Sequence, residues 1–229
     1  MPSVLITGAN RGLGLEFAKQ YAQAGYRVFA TARTPSEATE LSALASRHDN
    51  ISVHALDVSD DASAPILAKE LDKQPIDILL NNAGHWGGNR QAFGKIDYPS
   101  ALETYSINAL GPLRVAEAFV ENVAASTRKL LVAVTSGMGS ISDSSGGSYA
   151  YRASKAALNM SFHNLGLDLK SRGIIAVVIN PGWVQTDMGG KQAPTTTHDS
   201  ISAMRTVFDG LTKADTGKFM NYKGGTLEW

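Results

Sequence analysis

The chain contains no cysteine, which excludes disulfides, zinc–thiolate sites and thiol chemistry. It has no net charge, since 21 lysines and arginines stand against 21 aspartates and glutamates. A balanced chain has no global basic field to hold nucleic acid or an anionic membrane surface. No apolar run approaches the roughly 18 residues of a membrane helix. The opening MPSVLITGANRG lacks a basic start, a long apolar stretch and a small-residue cleavage site, so it does not read as a secretory signal. The expectation is a soluble, cytoplasmic protein with no nucleic-acid or membrane partner. The five histidines are scattered without metal-ligand spacing, and no metal is expected. No composition shift marks a linker, and no internal repeat stands out, so residues 1–229 read as a single domain.

What is present is 43% apolar residues, arranged as short runs alternating with longer amphipathic ones. SVLITG (3–8), YRVFATAR (26–33), ISVHALDV (51–58), IDILLNNAG (76–84), KLLVAVTS (129–136) and IIAVVINPG (174–182) read as strands, with GKFMNY (217–222) as an edge strand. Helical patterns fall at 13–23, 36–48, 62–73, 98–125, 149–173 and 199–212. Pro65 fits only the first turn of its helix, and the long pattern at 98–125 is expected to bend near Gly111-Pro112. Alternating helices and fully apolar strands imply a parallel sheet covered on both faces. The expected fold is therefore α/β, a Rossmann-like doubly wound parallel sheet of about seven strands. Such sheets bind ligands beyond the carboxyl ends of their strands.

The loops at those ends carry the chemistry. TGANRGLG (7–14) places Gly8, Gly12 and Gly14 between a strand and a helix. Missing side chains let the backbone approach a pyrophosphate, and the helix start offers free N–H groups to an anion. The spacing differs from G-x-G-x-x-G, and a glycine-rich turn without a ligand stands as the alternative. The second strand ends in Thr31-Ala32-Arg33, with no acid before Glu37. An acid there would favour NAD and an arginine NADP. Arg33 and Arg11 thus point to NADP(H), against the plainer reading of two solvated arginines.

In YAYRASK (149–155), Tyr151 and Lys155 are four apart and share a helix face, whereas Tyr149 stacks on Ala153. An ammonium beside a phenol favours the phenolate and lowers its pKa toward the working range of a general acid. A bare Y-x-x-x-K is weak evidence. Here it follows TGANRGLG, NNAG (81–84), Asn108 in SINALGP and Ser136 after a strand, and it precedes PGWVQTDMGG (181–190). This ordered set resembles the short-chain dehydrogenase/reductase family over nearly the whole chain. GGSYAYRASKAALN, PGWVQTDMGG and the final GTLEW are similar to its branch of C-factor-like proteins and sniffer-type carbonyl reductases.

The resemblance implies roles. Tyr151 would be the acid–base residue, and Lys155 would lower its pKa and hold the nicotinamide ribose. Ser136 would bind the substrate carbonyl, and Asn108 would hold a water in a relay to Lys155. Gly8, Asn10, Arg11, Gly12, Leu13, Gly14 and Arg33 would contact the phosphate-bearing half of the cofactor. Asp57 and Val58 would border the adenine, and Asn82, Ala83 and Gly84 would line the groove. Pro181, Gly182, Val184 and Thr186 would border the nicotinamide. The gap from Ser136 to Tyr151 is two residues longer than the family's commonest spacing, which would place the serine at Met138. Ser140 and Ser142 are alternatives, and Ser136 is preferred because it ends a strand.

Residues 186–198 resemble the family's mobile lid. Trp86, Met138, Trp183 and Met188 near one mouth suggest an apolar carbonyl substrate. The expected function is NADPH-dependent reduction of an aldehyde, ketone or quinone to an alcohol. The alternative is a nucleotide-binding signalling protein with little turnover. Family resemblance also implies a homodimer or homotetramer packed through long helices.

Overall fold

The computed structural model describes residues 1–72 and 74–229. Seven strands form one parallel sheet: β1 (Ser3–Ile6), β2 (Arg27–Ala32), β3 (Ile51–Ala55), β4 (Ile78–Asn81), β5 (Leu130–Val134), β6 (Ile175–Asn180) and β7 (Phe219–Asn221). Their spatial order is β3-β2-β1-β4-β5-β6-β7, and every adjacent pair is parallel. The order reverses direction beside β1, where doubly wound folds open a crevice for a ligand.

Successive strand residues point to opposite faces, and both faces are buried. Val4, Ile6, Val28, Leu80, Val132 and Val177 pack on one side with Phe17, Tyr21 and Phe208. These aromatics come from α1 (Gly12–Gln23) and α7 (Thr197–Gly210). Leu5, Phe29, Leu79, Leu131 and Val178 pack on the other with Leu67, Phe119, Leu158 and Phe162. Those come from α3 (Ser63–Glu70), α5 (Gly111–Ala124) and α6 (Tyr149–Asp168). In α5, Val115, Phe119 and Val123 recur every four residues on the buried face. The remaining helices are α2 (Thr39–Ala45), preceded by a short 3₁₀ turn at Pro35–Glu37, and α4 (Tyr98–Tyr105).

The sequence pattern places these elements but overruns their ends. Strands expected to finish at residues 8, 58, 84 and 182 stop at 6, 55, 81 and 180, because the last residues turn away from the ladder to build loops. The helix expected over 36–48 shrinks to α2, and that over 149–173 ends at Asp168, followed by a 3₁₀ turn and Gly173 at φ 73°. Pro65 does sit in the first turn of α3, and the end of that pattern at Lys73 lies outside the described residues. The pattern at 98–125 is interrupted, with a π-helical segment over Ser106–Leu110 joining α4 to α5. It ends where Pro112 enters α5, and Gly111 lies so close to Val58 that a Cβ would meet its side chain at 3.0 Å. Among the described residues, no helix is long and apolar enough to cross a membrane, and no cluster of metal-ligating groups occurs.

Candidate active site

A cleft of about 930 Å3 opens beyond the carboxyl ends of the strands. Its floor at one end is the turn between β1 and α1. Gly8 and Gly12 have φ of 65° and 56°, in the left-handed region that glycine adopts without strain. A Cβ on Gly14 would lie 2.1 Å from Gly8 O, so only glycine lets α1 start this close to the strand. The helix begins with neither a side-chain cap nor an acid in its first turn. Its N–H groups and positive dipole end thus suit an anion. Thr7, which sequence reasoning passed over, ties this turn to β4. Its hydroxyl accepts from Asn82 N and Ala83 N, both at 3.0 Å. The Asn82 amide returns the contact, donating to Thr7 O at 3.0 Å and Gly8 O at 3.1 Å.

Arg33 lines the cleft at the end of β2 and makes no hydrogen bond or ion pair among the described residues. Asp57 lies near it. Burial opposes ionisation of Asp57, but hydrogen bonds from Ser59 and the Arg33 charge outweigh it and hold the carboxyl below its ordinary value. Arg11 lies at the cleft too, but its guanidinium pairs at 2.7 Å with Asp187 of the lid segment, both side chains being well exposed. Every sequence-predicted cofactor residue lines the cleft except Gly14, which lies behind the turn.

At the other end stand Ser136, Tyr151 and Lys155. Ser136 follows β5 and accepts from Met138 N at 3.1 Å, and its hydroxyl lies near enough to the Tyr151 phenol to favour ionisation of that group. Ser140 is committed elsewhere, to Ser142 and Glu228 O, and neither Ser140 nor Ser142 lines the cleft. Tyr151 and Lys155 share a face of α6, the ammonium 5.8 Å from the ring centre and donating to Val134 O at 2.9 Å. Asn108 sits in the π segment behind the wall, where Ile107 takes the lining position. Its side chain accepts from His85 N at 2.7 Å and donates to His85 O at 2.8 Å and Ser154 Oγ at 2.9 Å.

The expected effect of Lys155 on the phenol is not what the structure gives. Burial pushes Tyr151 up to about 12, opposed only by the Ser136 hydroxyl. Burial alone pushes Lys155 down to about 8. Taking both groups out of water favours their neutral forms, and the ammonium is spent on a carbonyl rather than on the phenol. At neutral pH Tyr151 is therefore fully protonated, the form that can give a proton away.

The walls near Tyr151 are apolar. The Trp86 ring lies 4.7 Å from the Tyr151 ring, and Met138, Trp183 and Met188 complete the mouth. The lid is held by Trp183 Nε1 donating to Gly189 O at 2.7 Å and by a bridge between Val184 and Thr195.

Comparison with known proteins agrees with this geometry. The family model described as short chain dehydrogenase matches residues 2–197. The C-signal of Myxococcus xanthus is 44% identical over 156 residues, covering 68% of this chain and 93% of that protein. The carbonyl reductase Sniffer of D. melanogaster superposes with a TM-score of 0.93 at 32% identity, covering all of both chains. An NADPH-bound carbonyl reductase from chicken fatty liver gives 0.92 at 33%, covering 100% of this chain and 99% of that one. By its matched span and its relatives, this chain belongs to the short-chain dehydrogenase/reductase family of oxidoreductases.

Proposed function

We propose that the protein is an NADPH-dependent reductase of apolar aldehydes, ketones or quinones, acting in reverse as an alcohol dehydrogenase. One observation carries the reading: Ser136, Tyr151 and Lys155 meet in the same cleft as a glycine turn and Arg33. The residues fit a dinucleotide phosphate. The Gly8–Gly14 turn is filled by its own backbone, α1 starts uncapped, and Arg33 offers a planar fork of donors. Structural neighbours carrying NADPH and NADP support the same choice.

When bound, NADPH supplies the hydride. The chain's residues do the rest. The Ser136 hydroxyl holds the substrate oxygen beside Tyr151, and the protonated phenol gives that oxygen its proton. Lys155, on the same helix face, orients the nicotinamide ribose. Asn108 fixes the backbone at His85 and so shapes the wall, and it would also hold a water in a proton relay to Lys155. Trp86, Met138, Trp183 and Met188 exclude water and favour an apolar substrate.

The test is a fluorescence titration with NADPH and with NADH, followed by a carbonyl screen. Preference for NADPH, lost in Arg33→Ala, and turnover lost in Tyr151→Phe are expected. Equal binding of NADH would remove the argument from Arg33. Likeness to the C-signal favours one second reading, in which nucleotide binding serves signalling without turnover. In that case the biological effect survives Tyr151→Phe. Self-association through α4 and α6, which expose Tyr98, Leu102, Met160 and Leu167, is also proposed. A monomer at micromolar concentration in light scattering would end it.

A further inference from the structure

The helix that carries Tyr151 begins without a cap of its own. Its first four N–H groups have no partners within the helix, and the usual remedy is a side-chain oxygen at the preceding residue. That residue, Ser148, is left-handed (φ 46°) and makes no such bond. The missing acceptors arrive from Gln91, 60 residues earlier. Its side-chain Oε1 accepts from Tyr151 N at 2.9 Å, and its backbone carbonyl accepts from Tyr149 N at 3.1 Å.

The same side chain works in the other direction as well. Gln91 Nε2 donates to Trp86 O at 2.8 Å and to Gly88 O at 2.9 Å. Its orientation is therefore fixed, with oxygen toward an N–H and nitrogen toward two carbonyls. Gln91 is 5% exposed, so each of these partners would be costly to lose. Its neighbours finish the fastening. Asn108 holds both backbone groups of His85, and Ser100 Oγ donates to Gly87 O at 3.1 Å. Four successive carbonyls, 85 to 88, thus each accept from a side chain. A loop with two left-handed glycines, Gly87 and Gly88, is held still, with the Trp86 ring against the Tyr151 ring.

We propose that Gln91 is a positioning residue for the reaction: one buried amide joins the start of the Tyr151 helix to the Trp86 wall, setting the distance between acid and substrate. This rests on Tyr151 acting as the acid, and the test separates the two ideas. A displacement of about 1 Å at a reacting group costs up to about a hundredfold in rate.

Gln91→Met removes both the acceptor and the donors at similar volume. Gln91→Glu keeps the acceptor and removes the donors, which covers the case in which Gln91→Met fails to fold. Amide hydrogen exchange and steady-state kinetics are measured on the full chain. In folded Gln91→Met, exchange at Tyr151, whose side-chain acceptor is lost, is expected to accelerate at least about tenfold, while Tyr149, bonded to the backbone carbonyl of residue 91, changes less. The NADPH dissociation constant stays within about twofold, and kcat falls about ten- to a hundredfold with little change in KM. In Gln91→Glu, Tyr151 stays protected while exchange at residues 86–88 accelerates and kcat falls. Unchanged exchange at Tyr151 in Gln91→Met overturns the proposal. So does unchanged kcat in either folded variant. If the parent reduces no carbonyl at all, the functional reading fails, and exchange at Tyr151 and 86–88 still decides whether Gln91 joins the two elements.

Discussion

At the carboxyl end of the strands, Ser136, Tyr151 and Lys155 converge on one cleft, the last two almost wholly buried. At the amino end, Arg128, Lys129, Lys170, Arg172 and Lys213 surround a hollow of about 480 Å3. The second end holds far more net charge, since in the cleft Arg11, Arg33 and Lys155 are balanced by Glu37, Asp57 and Asp187. Yet Arg128 is spent on Phe208 O and Leu211 O, and Arg172 on Glu121. Lys170 and Lys213 there stand in water. In the cleft a single phenol is taken out of water, kept protonated and aimed. What distinguishes a reaction site is not the amount of charge but how fully its groups are desolvated and fixed.

The comparison can be broken most decisively at Tyr151. Tyr151→Phe is expected to lower kcat/KM for a carbonyl by about 10²–10⁴ while leaving NADPH affinity intact, read by steady-state rates beside a fluorescence titration. Gly14→Ala comes next. Its Cβ would meet Gly8 O at 2.1 Å, and a loss of about 1–3 kcal/mol in a denaturant melt is expected, together with weakened nucleotide binding. Arg33→Ala should weaken NADPH by about tenfold or more, from one lost charge-assisted contact, and leave NADH unmoved.

A smaller effect concerns Lys155. Burial sets its pKa at about 8 against an ordinary 10.5. Below 8 the folded chain carries a buried ammonium that the unfolded chain keeps in water. Between 8 and 10.5 the unfolded chain binds more protons, so stability rises with pH across that window. Lys155→Met should therefore raise Tm at pH 7 by about 2–4 °C per kcal/mol relieved. Differential scanning fluorimetry should show the gain shrinking above pH 8. Smallest of all, Lys170→Ala with Lys213→Ala should change stability by no more than about 0.5 kcal/mol and turnover not measurably. A larger effect there would undo the contrast between the two ends.

Much of this was legible in the chain. Val4, Ile6, Val132 and Val177 announce buried parallel strands because both faces are covered, and Tyr151 pairs with Lys155 by helical period alone. Gly8, Gly12 and Arg33 were placed at one cleft because the turn after β1 needs left-handed glycines and strand ends in such sheets meet there. Thr7 and Gln91 were not legible. Their partners lie 75 and 60 residues away, and no local periodicity encodes a contact of that span. The π segment around Asn108 hid inside an ordinary helical pattern. The direction of the Tyr151 shift was missed because adjacency along a helix reports a neighbouring charge but not burial, and burial is the larger effect here.

The all-parallel topology bears finally on how the molecule comes into being. Each strand must wait for a crossover before it finds its neighbour, and β1 meets β4 only after more than 70 residues have been placed. Contacts of such range form slowly. The glycine turn is made first, Tyr151 arrives later and the far rim comes at Thr186, so no partial chain presents the complete cleft. A ligand that recognises only the finished arrangement then favours it by mass action, by about 2.7 kcal/mol at a hundred times its dissociation constant. Under the proposed function, the dinucleotide would thus also be a late support for assembly, acting only once the whole sheet is in place.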